Sequence, residues 1–444
     1  MFVIIKKTNY FSMILAFLMI LSFSVFPKVY ADPIEVTADG AVLMDELTGE
    51  ILYNKNKDQQ FPPASTTKII TALLVLENAN LDDIVTISKD CEPIEGSKIY
   101  IFEDEKLTVR DLLHALIKVS ANDAAIALAE HVSGTTDEFA KLMTSRAKEL
   151  GCTNSSFKNP HGLYEEGHVT TANDLALIMK ALMANPHIKD ISSTYFYEIQ
   201  PTNKCADVRP LWNQNYLLYP ENPMYYKYAE AGKTGYTDES LHSYVASAKK
   251  EETRLILAFL HDSKKSFFAD AKNLFDYGFD NFQVIKAVEK NQLIADFLLP
   301  DGSTIIPLLA KDDLYIIKDL KSDKVISDIT FDNSTVSFTD TSVAKGTTVS
   351  FATISYNDIS YNIDLINNIE YTPPLKTTTR ILNNFSSINF FKILFIVLLL
   401  LILILMLIII FKVKSERRKR RLMRKYNVHI SSPNLYRSKT LRKK

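Results

Sequence analysis

The chain has 444 residues, of which 47% are hydrophobic, so it is long enough and apolar enough for more than one folded domain. Its formal net charge of −1 conceals a strongly basic C-terminal segment attached to an acidic remainder. An acidic body argues against nucleic acid as its partner, and three cysteines, Cys91, Cys152 and Cys205, are too few for a disulfide scaffold. We expect neither a metal nor a cofactor, because His161 and His168 lack a third ligand at a metal-binding spacing.

The first predicted element is a secretory signal peptide over residues 1–31. Lys6 and Lys7 precede an apolar run over 11–26, and the chain reaches a small-residue cleavage signature that ends at Ala31. A retained N-terminal anchor is the alternative, because the apolar run approaches the length that spans a bilayer. A cleaved signal peptide would direct the rest of the chain out of the cytoplasm.

The segment around Ser65 predicts a helix N-terminus that carries a nucleophile and a base. Pro62 and Pro63 cannot lie inside a helix, whereas apolar residues recur at helical spacing over 69–76. Ser65 then lies where unpaired N–H groups and the helix dipole favour a developing negative charge. Lys68 falls one turn along on the same face, and a partly desolvated lysine near another cation can act as a base. On its own, Ser-x-x-Lys is more often an N-cap serine followed by a solvated lysine.

A second motif, Ser120-x-Asn122, lies between two predicted helices. Thr108 and Asp111 are start signals for the first helix, and a small-residue run over 124–132 predicts the second. A serine and an amide on such a connector can point into a cleft, where they offer a proton relay and a donor to a substrate. The alternative is an N-cap serine beside a turn asparagine.

A third motif, Lys233-Thr234-Gly235, occurs once in the chain. It precedes two predicted strands of an antiparallel hairpin, over 244–248 and 254–260. Lysine and threonine at the edge of a strand suit a carboxylate. Glycine leaves that edge unobstructed, so an extended peptide can lie alongside it.

In this order the three motifs resemble the Ser-x-x-Lys, Ser-x-Asn and Lys-Thr-Gly set of penicillin-binding proteins and serine β-lactamases. The chain is most similar to the low-molecular-mass penicillin-binding proteins that are D-alanyl-D-alanine carboxypeptidases, peptidase family S11. The resemblance covers residues 34–370. Four further stretches carry it, namely 42–52, which resembles the opening hairpin of the family, 159–163, 168–176 and 213–217.

The resemblance implies a mechanism. Ser65 attacks the carbonyl between two D-alanines at the end of a peptidoglycan stem peptide, and Lys68 takes its proton. Ser120 and Lys233 help to pass a proton to the leaving D-alanine, while Asn122 binds the substrate amide. Water then hydrolyses the acyl-enzyme.

The resemblance also implies how the substrate is held. Lys233 and Thr234, beside Gly235, recognise the free terminal carboxylate, which makes the enzyme a carboxypeptidase. The oxyanion hole consists of the backbone N–H groups of Ser65 and Tyr236. Some members carry histidine in place of Tyr236, but a main-chain role tolerates that change. A β-lactam mimics the D-Ala-D-Ala end and is expected to acylate Ser65 with slow release.

The C-terminal part of the chain predicts a membrane anchor. Residues 393–411 form an apolar stretch of about the ~20 residues that a bilayer requires, and a basic tail follows over 412–444. The positive-inside rule places that tail in the cytoplasm, so we expect a single-pass plasma-membrane protein with an extracytoplasmic catalytic domain. Many relatives end instead in an amphipathic helix that lies on the membrane. The basic tail could bind nucleic acid, but a topogenic and lipid-headgroup role is simpler.

The remaining segments predict two outer domains. Residues 32–281 mix helices with strands, which favours an α+β fold of the transpeptidase type, an antiparallel sheet flanked by helices. Residues 282–371 predict a small all-β domain, and 372–392 a polar linker to the span. The predicted strands of the all-β domain are 303–308, 313–317, 336–338 and 348–354.

Three other functions share these motifs. A β-lactamase would need fast deacylation, and Glu165 and Glu166 lie in a plausible region, but Gly167-His168 follows them where one large class has Leu-Asn. A penicillin or muropeptide sensor would form a stable adduct and signal through the tail. An endopeptidase that cuts peptidoglycan crosslinks is the closest alternative, and only the all-β domain, by family analogy, favours the carboxypeptidase.

Overall fold

The computed structural model describes residues 34–299, 302–336, 342–372 and 390–425. The predicted signal peptide, nearly all of the predicted linker and the end of the basic tail lie outside these residues. Contacts within the chain define two compact units, Met1–Ser337 with Gly346–Ile369, and Phe338–Lys345 with Glu370–Lys444. The three motifs and both five-stranded sheets belong to the first unit.

Seven α-helices lie among the described residues of the first unit. They are α1 Lys68–Asn78, α2 Val109–Lys118, α3 Asn122–Ser133, α4 Thr136–Glu149, α5 Ala172–Met183, α6 Pro186–Ser193 and α7 Phe267–Asn281. A 3-10 turn over Ala64–Thr67 leads directly into α1. The start signals predicted for α2 form a capping box, in which Asp111 N–H donates to Thr108 Oγ1 and Thr108 N–H to the Asp111 carboxylate.

An antiparallel five-stranded sheet carries the third motif. Its strands are β1 Gly40–Asp45, β2 Ile51–Lys55, β7 Ala229–Thr237, β8 Leu241–Lys250 and β9 Thr253–Asp262, in the order β2-β1-β9-β8-β7. β8 and β9 are the predicted hairpin, each longer than predicted. The strand β7, which carries the motif, was not itself predicted. It pairs only with β8 among the described residues, so it lies at the edge of the sheet.

Helices cover both faces of this sheet. Val42 and Leu43 are consecutive residues of β1, and they point into the two different apolar cores on its opposite faces. α1 to α5 pack around the Val42 core, and α7 packs on the Leu43 core. A β-carbon on Gly278 of α7 would lie 2.5 Å from Leu255 Cδ1, so the bare glycine lets the helix approach the sheet. The predicted α+β class, an antiparallel sheet flanked by helices, is confirmed.

Two short hairpins lie beside the helices and were not predicted. They are β3 Ile84–Thr86 with β4 Lys106–Thr108, and β5 Phe196–Ile199 with β6 Arg209–Trp212. Arg209 connects them, because its guanidinium donates to the buried carboxylate of Glu105 at 2.8 Å. Glu105 and Arg209 lie 104 positions apart in the chain, so no local sequence pattern reveals this ion pair.

The region after α7 is built from strands. They are β10 Phe282–Val288, β11 Leu293–Leu298, β12 Ile305–Ala310, β13 Leu314–Asp319, β14 Thr330–Phe331, β15 Thr348–Tyr356 and β16 Ile359–Asn367. β10 pairs with β13, and the others form a sheet in the order β11-β12-β16-β15-β14. The predicted all-β character is confirmed, whereas the boundaries 282–371 remain a prediction. β12, β13 and β15 correspond to predicted strands, whereas β10, β11, β14 and β16 were missed. The predicted strand at 336–338 lies mostly outside the described residues.

In the second unit, helix α8 spans Phe390–Lys425. Among the described residues one helix is long and apolar enough to cross a membrane, and it covers Leu394–Arg418. The helix therefore contains the predicted span but continues beyond its predicted end at Phe411, into the basic residues. Side chains over 394–411 are exposed, as in a helix whose surroundings are apolar.

Candidate active site

Ser65 lies in a turn whose backbone is held under strain. Ala64, directly before it, has φ +49°, a left-handed conformation that residues with a side chain rarely adopt. Ser243 Oγ on β8 donates to the carbonyl oxygen of Pro63 at 2.7 Å. Thr67 Oγ1 donates to the carbonyl oxygen of Ala64 at 2.8 Å. These bonds fix the turn at the start of α1, which is where the motif pattern predicted Ser65.

Lys68 is fully buried and bound by three acceptors. Its Nζ donates to Ser65 Oγ at 2.9 Å, to Asn122 Oδ1 at 2.7 Å and to the carbonyl oxygen of His161 at 2.6 Å. Burial holds the pKa of Lys68 well below its ordinary value, and the positive charge of Lys233 lowers it further. A lowered pKa makes the loss of one of the three protons easier, and the lone pair that results would face the Ser65 hydroxyl while the two remaining N–H groups donate to Asn122 and His161.

Ser120 and Asn122 lie at the junction of α2 and α3. Ser120 has φ +62°, and its Oγ is buried with no hydrogen-bond partner among the described residues. Asn122 is the first residue of α3, and its Nδ2 donates to the carbonyl oxygen of Glu95 at 2.7 Å while its Oδ1 accepts from Lys68. Both ends of this amide are therefore engaged before any substrate binds. A substrate amide would have to use the second lone pair of Oδ1 or replace one of these bonds.

The third motif presents a buried cation at the open edge of the sheet. Lys233 is 2% exposed, its Nζ donates to the carbonyl oxygen of Thr234 at 2.8 Å, and burial lowers its pKa to about 7. No hydrogen bond joins Lys233 to Ser120 among the described residues, although the two are predicted to share a proton path. A β-carbon on Gly235 would lie 2.8 Å from the backbone nitrogen of Ser65. The glycine thus keeps open the position where the predicted oxyanion hole lies.

The side chain of Tyr236 contacts residues outside the three motifs. Its ring is 55% exposed, packs near His242 and donates its hydroxyl to Asp238 Oδ1 at 3.0 Å. The side chain is therefore free of the other motif residues. This arrangement is compatible with the main-chain role that the resemblance implies.

Several residues that support the site were not predicted as parts of it. The carbonyl of His161 is an acceptor for Lys68, and His168 Nε2–H donates to Thr67 Oγ1 at 2.9 Å. Burial lowers the pKa of His161 to about 3 and that of His168 to about 4, so both rings are neutral. Asp123 accepts the N–H of Ile99 at 3.0 Å and so anchors the loop above Asn122. The sequence placed both histidines in a family-like stretch but contained no signal for these particular bonds.

Together these residues define a class of enzyme. A serine hydroxyl at a helix N-terminus, a buried lysine with a lowered pKa and a second cation beside an open strand edge are the parts of a serine acyl-transfer site. Ser65, Lys68 and Asn122 meet in the structure, although Asn122 lies 54 positions from Lys68 in the chain.

The chain matches peptidase family S11, described as D-alanyl-D-alanine carboxypeptidase, over residues 27–264. It is 36% identical over 274 residues to D-alanyl-D-alanine carboxypeptidase DacF of Bacillus subtilis, which is 60% of this chain and 68% of that protein. It is 33% identical over 266 residues to DacC of Escherichia coli, 57% of this chain and 64% of that protein. Penicillin-binding protein 5 of Haemophilus influenzae superposes with a TM-score of 0.66 at 26% identity, covering 77% of this chain and 99% of that structure.

The family match spans more than half of the chain, so this protein belongs to peptidase family S11. It is a hydrolase of the serine D-alanyl-D-alanine carboxypeptidase type. The function predicted from the three motifs is thereby confirmed, whereas the role of each site residue remains a prediction.

Proposed function

We propose that Ser65 is the nucleophile and Lys68 its general base in the removal of the terminal D-alanine from peptidoglycan stem peptides. The observation that carries this assignment is the 2.9 Å hydrogen bond from Lys68 Nζ to Ser65 Oγ, with the pKa of Lys68 held well below its ordinary value. When Lys68 has lost a proton, its lone pair replaces this donated bond and can accept the hydroxyl proton as Oγ attacks the carbonyl carbon.

Acylation then proceeds in two stages. Attack by Ser65 Oγ gives a tetrahedral intermediate whose oxyanion accepts from the backbone N–H groups of Ser65 and Tyr236; removing one such donor typically costs about 10²–10³ in rate. The intermediate collapses when the C–N bond breaks and the leaving D-alanine nitrogen gains a proton. The Oγ of Ser120 is buried and has no hydrogen-bond partner among the described residues. It can relay to the leaving nitrogen a proton that Lys68 or Lys233 supplies.

The carboxylate of the terminal D-alanine binds Lys233 and Thr234 on the edge of β7. A buried lysine with a pKa of about 7 gains a favourable partner when an anion enters, because the carboxylate stabilises the protonated form. The peptide backbone extends along the open edge of the strand, beside Gly235. Asn122 orients the amide of the penultimate residue. A peptide without a free C-terminus loses the anion contact, which accounts for exopeptidase specificity.

Water deacylates the enzyme and regenerates Ser65. A β-lactam presents the same carboxylate and a strained amide, and its fragment stays attached after acylation, so deacylation is slow. The position of Glu165 favours a carboxypeptidase over a β-lactamase. Its side chain is exposed and accepts a hydrogen bond from Asn159 Nδ2 at 3.2 Å. It is not directed at Ser65 by any contact among the described residues.

The site operates outside the cytoplasm, with the chain anchored by α8. A signal peptide at 1–31, a span at 393–411 and a cytoplasmic tail at 412–444 account for the apolar and basic segments together. The catalytic domain comprises 32–281, the all-β domain 282–371 and the linker 372–392. Peptidoglycan and the membrane are then the two partners of this protein, and nucleic acid is not one.

D-Alanine release from a peptide ending in Lys-D-Ala-D-Ala tests the proposal directly. The full chain in detergent is compared with Ser65→Ala, and labelled penicillin is mapped to its residue by peptide mass. Release that disappears in the variant, with the label on Ser65, is the expected result. Folded protein that is acylated but releases no D-alanine would favour the sensor or the endopeptidase instead.

A further inference from the structure

Lys118 is a buried lysine that the proposed mechanism does not use. It is the last residue of α2, two positions before Ser120, and its side chain is 0% exposed. Its Nζ donates to the carbonyl oxygen of Ile191 at 2.9 Å and to Thr194 Oγ1 at 2.6 Å, and it also contacts the carbonyl oxygen of Thr194. These acceptors lie at the C-terminal end of α6, where carbonyl groups lack helical partners and a cation is favoured. The three hydrogens of the Lys118 ammonium group thus have three acceptors, and these bonds hold the end of α2 against the end of α6.

Asn213 continues the chain of hydrogen bonds from the same point. Its Nδ2 donates to the carbonyl oxygen of Ser192 at 3.1 Å and to that of Thr194 at 3.4 Å, so Thr194 is shared with Lys118. Its Oδ1 accepts the N–H of Asn215 at 2.9 Å. Between them, the N–H of Gln214 donates to the carbonyl oxygen of Lys118 at 3.0 Å. The backbone at the end of α2 is thus bound directly to the 213–215 segment, and the Lys118 side chain is linked to it through the carbonyl of Thr194.

Asn215 extends this series of hydrogen bonds to β7, the strand of the third motif. Its Oδ1 accepts from the hydroxyl of Tyr244 at 2.8 Å, and Tyr244 lies directly opposite Thr234 in the β7–β8 pairing. A β-carbon on Gly232 would lie 2.6 Å from Asn215 Nδ2, so this amide packs against the backbone of β7 itself. Asn213 and Asn215 are 3% and 1% exposed and Tyr244 is 0%, which shields the whole connection from water.

We propose that Lys118, Asn213 and Asn215 are positioning residues that fix the strand of Lys233 and Thr234 relative to the loop of Ser120. The inference rests on the proposed function, in which groups from these two elements act on one substrate. Ser120 and Lys233 have no hydrogen bond to each other among the described residues, so their separation depends on what holds their elements. Every side chain of this buried polar chain is held by at least one hydrogen bond, although Asn215 Nδ2 lacks a partner among the described residues. Such directional bonds select one arrangement where apolar packing alone would allow several.

The decisive experiment replaces Lys118 by methionine in the full chain, because Lys118→Met retains the length of the side chain and removes its donors. Acylation by fluorescent penicillin and kcat for D-alanine release should fall by about 10²-fold, the typical effect of misplacing catalytic groups by an ångström. KM should rise as well, because the displaced strand carries Lys233 and Thr234, which bind the substrate carboxylate in the proposed function. Thr194→Val, which removes one acceptor, should give a smaller decrease in the same direction, and Thr194→Ser, which retains the hydroxyl, should restore the wild-type rate.

Met143→Ala separates positioning from general destabilisation. Met143 is buried on α4 outside this chain of bonds, so its truncation should lower the thermal midpoint and leave kcat unchanged. Folded Lys118→Met that acylates at the wild-type rate would overturn the inference. If Lys118→Met does not fold, identical acylation rates for Thr194→Val and Thr194→Ser would overturn it instead. Wild-type protein that is not labelled at Ser65 would mean that the proposed function itself fails.

Discussion

A β-carbon on Gly162 would lie 1.9 Å from the carbonyl oxygen of Ala64, the residue directly before Ser65. The two residues come from segments nearly a hundred positions apart, and both have positive φ, +86° and +49°. The 159–163 loop therefore closes on the strained turn that presents the nucleophile. The same loop supplies the carbonyl of His161 to Lys68, so one close backbone contact serves both Ser65 and its base.

Gly162→Ala is expected to lower both stability and acylation. The new methyl group would overlap Ala64, and the left-handed backbone adds strain of about 1–3 kcal/mol. Gly167→Ala is the matched control, because Gly167 has φ +79° but its β-carbon would meet only the flexible end of Lys158, at 3.2 Å. Thermal unfolding should show a loss in both variants, and penicillin acylation a loss only at Gly162. Equal acylation in the two variants would refute the close contact as the cause.

We expect the backbone conformation of Ser120 to lower the stability of the protein, while its hydroxyl serves the reaction. Its φ of +62° costs a residue with a β-carbon about 1 kcal/mol, which glycine avoids. Ser120→Gly should therefore be more stable than Ser120→Ala. Both variants lose the hydroxyl. Because the proposed mechanism uses this hydroxyl to relay a proton, D-alanine release should fall by about 10²–10⁴-fold in both. Calorimetry and single-turnover D-alanine release measure the two effects, and retained turnover in Ser120→Gly would remove the hydroxyl from the proton path.

The binding of substrate should weaken at alkaline pH because of Lys233. Burial lowers its pKa to about 7, so its positive charge is present below that pH and is lost as the pH rises through it. KM for a peptide with a free carboxylate should therefore increase above pH 7. Lys233→Arg keeps its charge at every accessible pH, so its KM should stay level between roughly pH 6 and 9. The same rise in KM in this variant would assign the titration to another group.

His168 should make the protein less stable in mild acid. Its pKa is lowered from 6.5 to about 4 by burial, so the unfolded chain binds a proton more readily than the native state. Stability is unaffected above pH 6.5 and falls as the pH decreases from 6.5 toward 4, by up to about 1.4 kcal/mol per pH unit.

His168→Gln removes this titration and can still donate to Thr67, although it loses the acceptor that His168 Nδ1 offers to the N–H of Lys158. Its unfolding free energy, measured by urea at several pH values, should decrease less steeply below pH 6.5 than that of the wild type. The slope should not vanish, because His161 and His114 are also buried with pKa values lowered to about 3. Parallel curves for variant and wild type would contradict the assignment.

The short motifs were readable from the sequence because their chemistry is local. Ser65 and Lys68 are one helical turn apart, and proline before them and apolar residues after them define where that turn begins. The hairpin after Lys233-Thr234-Gly235 was predictable from its alternating apolar residues, whereas the strand that carries the motif and its place at the sheet edge came from the structure. The apolar span at 393–411 needed only composition and length.

Other features were decided by contacts between distant segments. The pKa of Lys68 depends on burial and on the positive charge of Lys233, and the carbonyl that its Nζ binds belongs to His161, 93 positions away in the chain. In the sequence, Lys118 is an ordinary basic residue near the end of a helix. Only the packing of α6 and Asn213 around it buries its side chain and supplies the hydrogen bonds that link these elements. Sequence alone determined which residues could do the chemistry. The tertiary structure decided which of them meet, because hydrogen-bond geometry and desolvation arise only when the chain has closed around them.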